Sequence, residues 1–300
     1  MRRRPPVVDG LAASRLQLPP GPWPSVLDAL CARFPGVSRE QWRDRMARGR
    51  VLGPEGVAVR ADTPYRVGLE ISYYREVPDE PRLALEEGIV HLDAHVLVAD
   101  KPHGLPVTPA GTAVRETLLA RLVRRVGNEA LIPLHRIDRD TAGLVMFSTN
   151  PETRAAYQAL FREQRIQKYY QALAPPLPGL QWPRVHRSRL ARGEPFFRMH
   201  EVPGEPNSET RMDVLERGGQ AWRYQLEPVS GRKHQLRVHM ASLGAPILGD
   251  RLYPQLQPGH HQPAATALQL LAAGLAFIDP LDATMRRFDS GLTLPAPARD

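Results

Sequence analysis

The sequence predicts an α+β protein in two parts, and three observations predict it. Residues 25–75 carry helical apolar spacing followed by a hairpin pattern. From residue 85 to residue 300, strand and helix patterns alternate. Residues 76–84 lie between them, combine prolines with acidic residues, and are interpreted as a linker. The proline-rich residues 1–24 are expected to form a flexible tail, and the proline-containing residues 175–209, which show little periodicity, are expected to be largely irregular.

The composition is typical of a globular cytoplasmic protein. Hydrophobic residues make up 42% of the 300 residues, which is enough for a sizeable core. No apolar run approaches the ~20 residues that a membrane-spanning helix needs, and the basic start lacks the apolar stretch of a secretory signal. The single cysteine, Cys31, excludes an intramolecular disulfide and fits a reducing compartment. We therefore expect a cytoplasmic protein, no membrane partner and, by default, a monomer.

The charge is concentrated near the N-terminus. The chain has a net charge of +8, and residues 1–75 hold thirteen arginines against seven acidic residues. Such a basic segment favours a polyanionic partner, RNA or DNA, although a solvated surface would also explain it. Lysine is rare, because Lys101, Lys168 and Lys233 are the only three in the chain.

The N-terminal part reads as two helices and a hairpin. Val26 and Leu30 recur at helical spacing and predict the first helix. Ser38 is expected to begin the second helix, because Gln41 three residues later completes a capping-box pattern. Residues 51–59 hold two short apolar runs around a Gly-Pro-Glu-Gly turn and predict the hairpin.

This arrangement resembles the small αL RNA-binding module of a small-subunit ribosomal protein. The segments that carry the resemblance are Val37-Ser-Arg-Glu-Gln-Trp42 and Gly49-Arg-Val51. The chain departs from the module at Gly68-Leu69, where a Gly-Asp pair is usual. The resemblance implies that Arg39 and Arg43 contact RNA; the alternative is a generic helical cap on the main domain.

The segment His135-Arg-Ile-Asp-Arg-Asp-Thr-Ala-Gly-Leu-Val-Met-Phe147 is the main candidate for chemistry. It places five charged or titratable residues in six positions, directly before a predicted buried strand. Such a loop costs free energy unless its charges are paired or used. A solvated loop with internal ion pairs is the alternative.

A second candidate segment is Ser230-Gly-Arg-Lys-His-Gln-Leu-Arg-Val-His239. The alternation of polar and apolar residues over 235–239 predicts a strand, in which Arg237 would face the core side. A buried arginine needs a carboxylate partner, and Asp138 or Asp140 could supply it.

Two histidine pairs were considered as metal ligands. His91 and His95 are four residues apart, and His234 and His239 are five apart. A strand–turn–strand pattern over 89–99 separates the first pair, and the predicted strand around the second pair has the same effect. The sequence therefore predicts no metal site.

The charged loop segment resembles the signature of RluA-type RNA pseudouridine synthases. Three further motifs and the closing segment agree with the family and occur in family order, so that the resemblance covers about residues 85–300. They are Asp100-Lys-Pro-His-Gly-Leu-Pro-Val107, Lys168-Tyr-Tyr-Gln-Ala172, Gly231-Arg-Lys-His-Gln-Leu-Arg-Val-His239 with Pro246-Ile-Leu-Gly-Asp250, and residues 265–294.

Four positions depart from the family's usual residues. Ile137 replaces a leucine, Ala142 a serine, and Ser230 and Lys233 replace threonines. None of them removes a group with an implied catalytic role, so they bear on substrate choice more than on activity.

The resemblance implies a mixed, largely antiparallel central sheet with the active cleft across it. It also implies a reaction without metal, redox step or cofactor, in which uracil is detached from ribose, turned and rejoined through carbon five. Asp138 matches the family's aspartate, and Arg237 would pair with it and lower its pKa. Tyr170 matches the active-site tyrosine, which would stack on the uracil and is a candidate to assist the final deprotonation.

Other residues are implied in substrate binding. Arg136 would fill the gap that the extruded uridine leaves. His135 and Arg139 would either touch phosphates or brace the loop, and Lys101 would be structural or face a phosphate. The different-class alternative is a non-catalytic RNA-binding factor of ribosome assembly with a synthase-like domain. Whether the RNA is ribosomal or transfer RNA, and which route the aspartate follows, the sequence leaves open.

Overall fold

The computed structural model of the chain describes residues 5–8, 11–76, 80–109, 113–259 and 266–297. Parts of the predicted tail and linker therefore lie outside the described residues, namely 1–4, 9–10 and 77–79.

The chain forms two compact units. The first comprises Met1–Pro81, Pro109–Glu116 and Ala120–Glu129, and the second comprises Arg82–Thr108, Thr117–Leu119 and Ala130–Asp300. The chain first passes from one unit to the other within the predicted linker. The return of two later segments to the first unit was not predicted.

Among the described residues, the first unit holds a three-stranded sheet, two complete α-helices and most of a third. The strands are β1 (Ser14–Gln17), β2 (Val51–Leu52) and β3 (Glu70–Tyr73), in the order β1-β3-β2, and the two complete helices are α1 (Val26–Arg33) and α2 (Arg39–Ala47). β1 lies in the segment predicted to be a flexible tail. It is ordered because it pairs antiparallel with β3, a non-local contact that local composition does not reveal.

Local sequence decides the start of α2. The Ser38 hydroxyl accepts a hydrogen bond from the Gln41 amide, and the Gln41 side chain accepts one from the Ser38 amide, so the predicted capping box is confirmed. Trp42 is buried and packs with Val26 and Leu30 of α1 in one apolar cluster.

The second unit is built on an eleven-stranded sheet with the order β10-β9-β11-β12-β8-β13-β7-β5-β4, to which β14 adds beside β13 and β6 beside β7. Every pairing in it is antiparallel except the parallel contact of β13 with β7, so the predicted mixed, largely antiparallel sheet is confirmed. The strands are β4 (Gly88–Leu92), β5 (Val96–Lys101), β6 (Ile132–Pro133), β7 (Ala142–Ser148), β8 (Ile166–Ala174), β9 (Arg184–Arg192), β10 (Met199–Val202), β11 (Ser208–Arg217), β12 (Trp222–Pro228), β13 (Leu270–Ile278) and β14 (Met285–Asp289).

The described residues form three further α-helices: α3 (Leu118–Val126), most of which belongs to the first unit, and α4 (Arg154–Arg162) and α5 (Gln235–Ser242) of the second unit. α5 corrects the strand that the sequence predicted there. Residues 235–240 are all buried, and a short segment that is buried all round has no periodicity that distinguishes helix from strand. Among the described residues, no helix is both long and apolar enough to cross a membrane.

Residues 175–209 are also more regular than predicted, because β9 and β10 lie there and pair with each other. Over most of β9, half-buried and exposed residues alternate, and most of them are polar. The strand therefore carries no hydrophobic alternation. The predicted strand–turn–strand around residue 93 is confirmed by β4 and β5.

Candidate active site

The charged loop lies between β6 and β7. The loop ends in Thr-Ala-Gly, and the structure explains why the last of these residues is glycine. Gly143 has a φ of +105°, and the Cβ of any other residue there would lie 2.2 Å from the carbonyl oxygen of Ala272 on β13. Only glycine permits this close approach of β7 to β13. Ile137 packs against the core cluster that contains Tyr170 and so anchors the middle of the loop.

The side chains of Lys101 and His103 hold the backbone of the loop. Lys101 is fully buried, and its Nζ donates to the carbonyl oxygens of Pro102 at 2.9 Å and Arg139 at 2.8 Å. Burial lowers the pKa of Lys101 to about 7. His103 Nδ1 lies 2.7 Å from the carbonyl oxygen of Asp140. Backbone carbonyl oxygens therefore surround the ammonium group of Lys101 in this structure.

His135 also braces the loop. Its Nε2 accepts from the Met146 amide at 3.0 Å, and its ring stacks on Phe161 at 4.8 Å. Burial lowers the pKa of His135 to about 3, so the ring is neutral at physiological pH and is a poor phosphate ligand. Arg139 is exposed and forms an ion pair with Asp140 at 2.9 Å, and Arg136 is exposed.

Asp138 is held by the predicted partner, Arg237. The Arg237 Nη1 lies 3.0 Å from Asp138 Oδ2, while Nε and Nη2 form a bidentate contact with Asp250 at 2.8 and 2.7 Å. Burial alone would raise the pKa of Asp138, but His234, Arg237 and Lys233 together outweigh it and keep the pKa below its usual value. Asp138 is therefore an ionised carboxylate, and Arg237 holds one of its two oxygens.

The second oxygen of Asp138 faces His234. The distance from His234 Nε2 to Asp138 Oδ1 is 3.8 Å, and the His234 side chain is 8% exposed. Burial lowers the pKa of His234 to about 4, so the ring is neutral. Sequence reasoning considered His234 only as a metal ligand and gave Asp250 no role, although both lie in motifs that carry the family resemblance.

Tyr170 lies in the middle of the sheet, on β8 between Leu226 of β12 and Ala272 of β13. Burial, together with the negative charge of Asp138, raises the pKa of Tyr170, which keeps the phenol neutral. Tyr169 lies under the guanidinium of Arg287, at 5.9 Å, and belongs to the opposite face of the strand.

Positive charge surrounds Asp138 beyond Arg237. Lys233 is exposed, and burial of part of its side chain lowers its pKa, while Asp138 raises it. Arg192 and Arg136 also act on Lys233 and lower its pKa further, so the three cations lie close enough to interact. Such a surface suits the phosphates of a nucleic acid.

Among the described residues, one group of side chains has the spacing of metal ligands: His186, Glu201 and His239, whose ligand atoms lie within 4.8 Å of one another. The hydroxyl of Ser208 donates to a backbone carbonyl and so accepts from His239 Nε2 at 3.0 Å. The hydroxyl of Thr210 accepts from a glutamine amide and so donates to His239 Nδ1 at 2.9 Å. The neutral ring of His239 has no free lone pair, and hydrogen bonding explains the group without a metal.

The two arginines that the sequence assigned to RNA binding in the first unit lie on α2. Arg39 Nη1 pairs with Asp28 at 2.6 Å. The hydrogen bond from the Ser25 hydroxyl, and after it the one from Arg39, lowers the pKa of the Asp28 carboxyl group. Arg43 is exposed.

Comparison with known proteins gives consistent matches. A family model described as RNA pseudouridylate synthase matches residues 95–242. The dual-specificity RNA pseudouridine synthase RluA of Pasteurella multocida is 32% identical over 219 residues, which cover 68% of this chain and 90% of the relative. The ribosomal large subunit pseudouridine synthase D of Zymomonas mobilis is 30% identical over 284 residues, which cover 87% and 88%. The solved structure of human RNA pseudouridylate synthase domain containing 1 aligns with a TM-score of 0.58 at 24% identity, covering 71% of this chain and 86% of that one, and shares the fold.

Proposed function

Because this chain belongs to the RluA-type RNA pseudouridine synthases, we propose that Asp138 is the group that acts at the ribose–uracil junction of its target uridine. The observation that carries the proposal is the surroundings of this carboxylate. It is ionised, its Oδ2 is held by Arg237 at 3.0 Å, and that guanidinium is itself fixed on Asp250. A carboxylate of this kind is pre-organised to meet a sugar carbon or its proton.

The reaction is an isomerisation, so every atom of the substrate is retained. The bond from ribose carbon one to the ring nitrogen breaks, the base turns, and a bond forms to ring carbon five. Carbon five then loses its proton, and the former glycosidic nitrogen gains one. Asp138 either adds to the sugar or removes a proton from it, and in both routes it must begin ionised.

Tyr170 is proposed to lie against the uracil. A phenol that stays neutral offers an aromatic face for stacking and a hydroxyl that can donate or accept. Its raised pKa keeps the hydroxyl protonated before the reaction, so any proton transfer through it would be concerted. Arg136 is exposed two residues before Asp138, which supports the proposal that it fills the stack when the uridine is extruded.

The RNA is proposed to be ribosomal, with transfer RNA as the alternative. One relative over most of the chain is named for the large ribosomal subunit, and another is named for dual specificity. The basic first unit supports a structured RNA partner. The proposed chemistry uses only protein groups and no cofactor.

The test is a pair of isosteric variants, Asp138→Asn and Asp140→Asn. The first is expected to lower single-turnover pseudouridine formation by a factor of about a thousand or more, with RNA affinity within a few-fold of wild type. Asp140→Asn should keep much of the activity, since Asp140 contacts Arg139 at the surface. If Asp138→Asn turned over RNA as wild type does, or if only Asp140→Asn were inactive, the assignment would be wrong.

A further inference from the structure

We propose that His234 is a positioning residue for Asp138, holding through its neutral imidazole the carboxylate oxygen that Arg237 leaves open. The inference rests on the proposed role of Asp138. It gives the second oxygen of that carboxylate a facing donor and assigns a function to a histidine outside the catalytic set.

The two oxygens of the carboxylate face different groups. Arg237 contacts Oδ2 at 3.0 Å, and His234 Nε2 lies 3.8 Å from Oδ1. A separation of 3.8 Å is longer than a hydrogen bond. Contacts of catalytic groups are commonly long before the substrate enters and shorten in the complex, and a small rotation of the carboxylate would close this one.

Tyr253 decides which nitrogen of His234 carries the proton. The Tyr253 hydroxyl oxygen accepts from the Met199 amide at 2.7 Å and lies 2.8 Å from His234 Nδ1. The arrangement that uses every group is a Tyr253 hydroxyl that donates to Nδ1. The single proton of the neutral ring is then on Nε2 and points at Asp138.

The backbone of His234 is held in an unfavourable conformation. Its φ of 56° and ψ of 16° are left-handed, and its side chain makes no capping hydrogen bond to α5, although it occupies the N-cap position. Residues other than glycine rarely adopt this conformation, and those found at such positions cluster at functional sites. The strain therefore falls on the residue whose ring faces Asp138.

Burial keeps the ring of His234 neutral. Burial lowers the pKa of His234, Asp138 and Asp250 oppose this, and Arg237 and Lys233 lower it further. A neutral donor can orient the carboxylate, whereas a second cation would also neutralise its negative charge.

The chain offers a matched set of variants. In His234→Asn, asparagine tolerates the left-handed backbone and its amide can replace Nδ1 in the contact with Tyr253, but nothing replaces Nε2. In His234→Gln, the longer amide can reach the position of Nε2. We expect His234→Asn to lower the single-turnover rate roughly tenfold at unchanged RNA affinity. It should also move the acid limb of the pH–rate profile up by about half to one pH unit, since a carboxylate that loses a donor has a higher pKa.

His234→Gln should recover part of the rate and return the acid limb toward wild type, and the exposed His200→Asn is the control for loss of a histidine. Equal rates and acid limbs in His234→Asn and His200→Asn would overturn the inference. So would a rate loss that follows thermal stability alone, with the acid limb unmoved and no recovery in His234→Gln. Failure of the proposed function is a separate result, because it would appear as an active Asp138→Asn variant.

Discussion

Two arginines of this chain each contact two carboxylates, but one cluster is buried and the other is exposed. Arg237 is 3% exposed and its guanidinium bridges two aspartates of the second unit. Arg48 of the first unit also contacts two carboxylates, those of Asp44 and Glu76, but its side chain is 44% exposed. Both contacts raise the pKa of the arginine, which stays protonated in either place.

The difference lies in what the protein gains. A buried arginine–carboxylate cluster is costly to disrupt, since removing one member leaves a charge without a partner away from water. An exposed cluster contributes little to stability, because water and salt screen it. The buried cluster therefore fixes geometry for chemistry. The exposed cluster mainly cancels positive charge that would otherwise be available to RNA.

Arg237→Met should have the largest effect. It leaves Asp138 without its main partner and Asp250 buried and unpaired, so we expect unfolding free energy to fall by about 3–5 kcal/mol. Turnover should fall by a factor of about a hundred or more. Chemical denaturation and a single-turnover assay measure the two effects.

The double variant Arg237→Met with Asp250→Asn separates stability from catalysis. The amide removes the unpaired charge, and its oxygen can still accept from the amides of Leu252 and Tyr253, as Asp250 does now. Stability should recover partly while turnover does not. Recovery of both would mean that Arg237 serves only the fold.

Lys101→Met addresses a buried cation that is held by carbonyl oxygens. The folded pKa of Lys101, about 7, is below that of an unfolded lysine, 10.5, so the folded state binds fewer protons between these values. Stability from this residue therefore rises with pH above about 7, by at most about 1.4 kcal/mol per pH unit. The advantage of wild type over Lys101→Met should grow between pH 7 and pH 9 in denaturation experiments. An advantage that is independent of pH would contradict the prediction.

The residues alone predict that Arg237 pairs with Asp138 or Asp140, the family resemblance singles out Asp138, and the structure confirms that pair. Five charged or titratable residues before a buried strand require partners, and Arg237 lies in the other segment that combines charge with apolar residues. The capping box of Ser38 was also predictable, because both its members are local. Hydrogen bonds between neighbouring residues and clusters of charged residues can be predicted from the sequence alone.

Contacts that depend on distant segments could not be predicted. The alternation of polar and apolar residues over 235–239 predicts a strand, but Gln235 to Met240 form a helix whose polar residues are buried together with its apolar ones. Tyr253 reaches His234 through a loop nineteen residues away. Lys101 was given a phosphate as one option, since nothing in its own motif reveals that carbonyl oxygens surround it.

The smallest effect is expected from substitutions of the exposed arginines of the first unit. They test whether this unit binds RNA, through the salt dependence of RNA affinity. Arg43 is exposed and forms no ion pair with the part of the chain that the structure describes, whereas Arg48 is neutralised by Asp44 and Glu76. If α2 meets phosphates, Arg43→Ala should lower the log–log salt slope of RNA affinity by about 0.7–0.9, and Arg48→Ala should lower it less. Affinity measured at several salt concentrations for both variants distinguishes them, and thermal unfolding checks that each is folded. Unchanged slopes in both variants would exclude α2 from the RNA interface. A variant that loses a phosphate contact releases fewer counterions when it binds RNA, so its slope must be smaller. Equal decreases would show instead that Arg48 exchanges its carboxylates for phosphate when RNA binds, so that the pairing seen in the free protein does not limit binding.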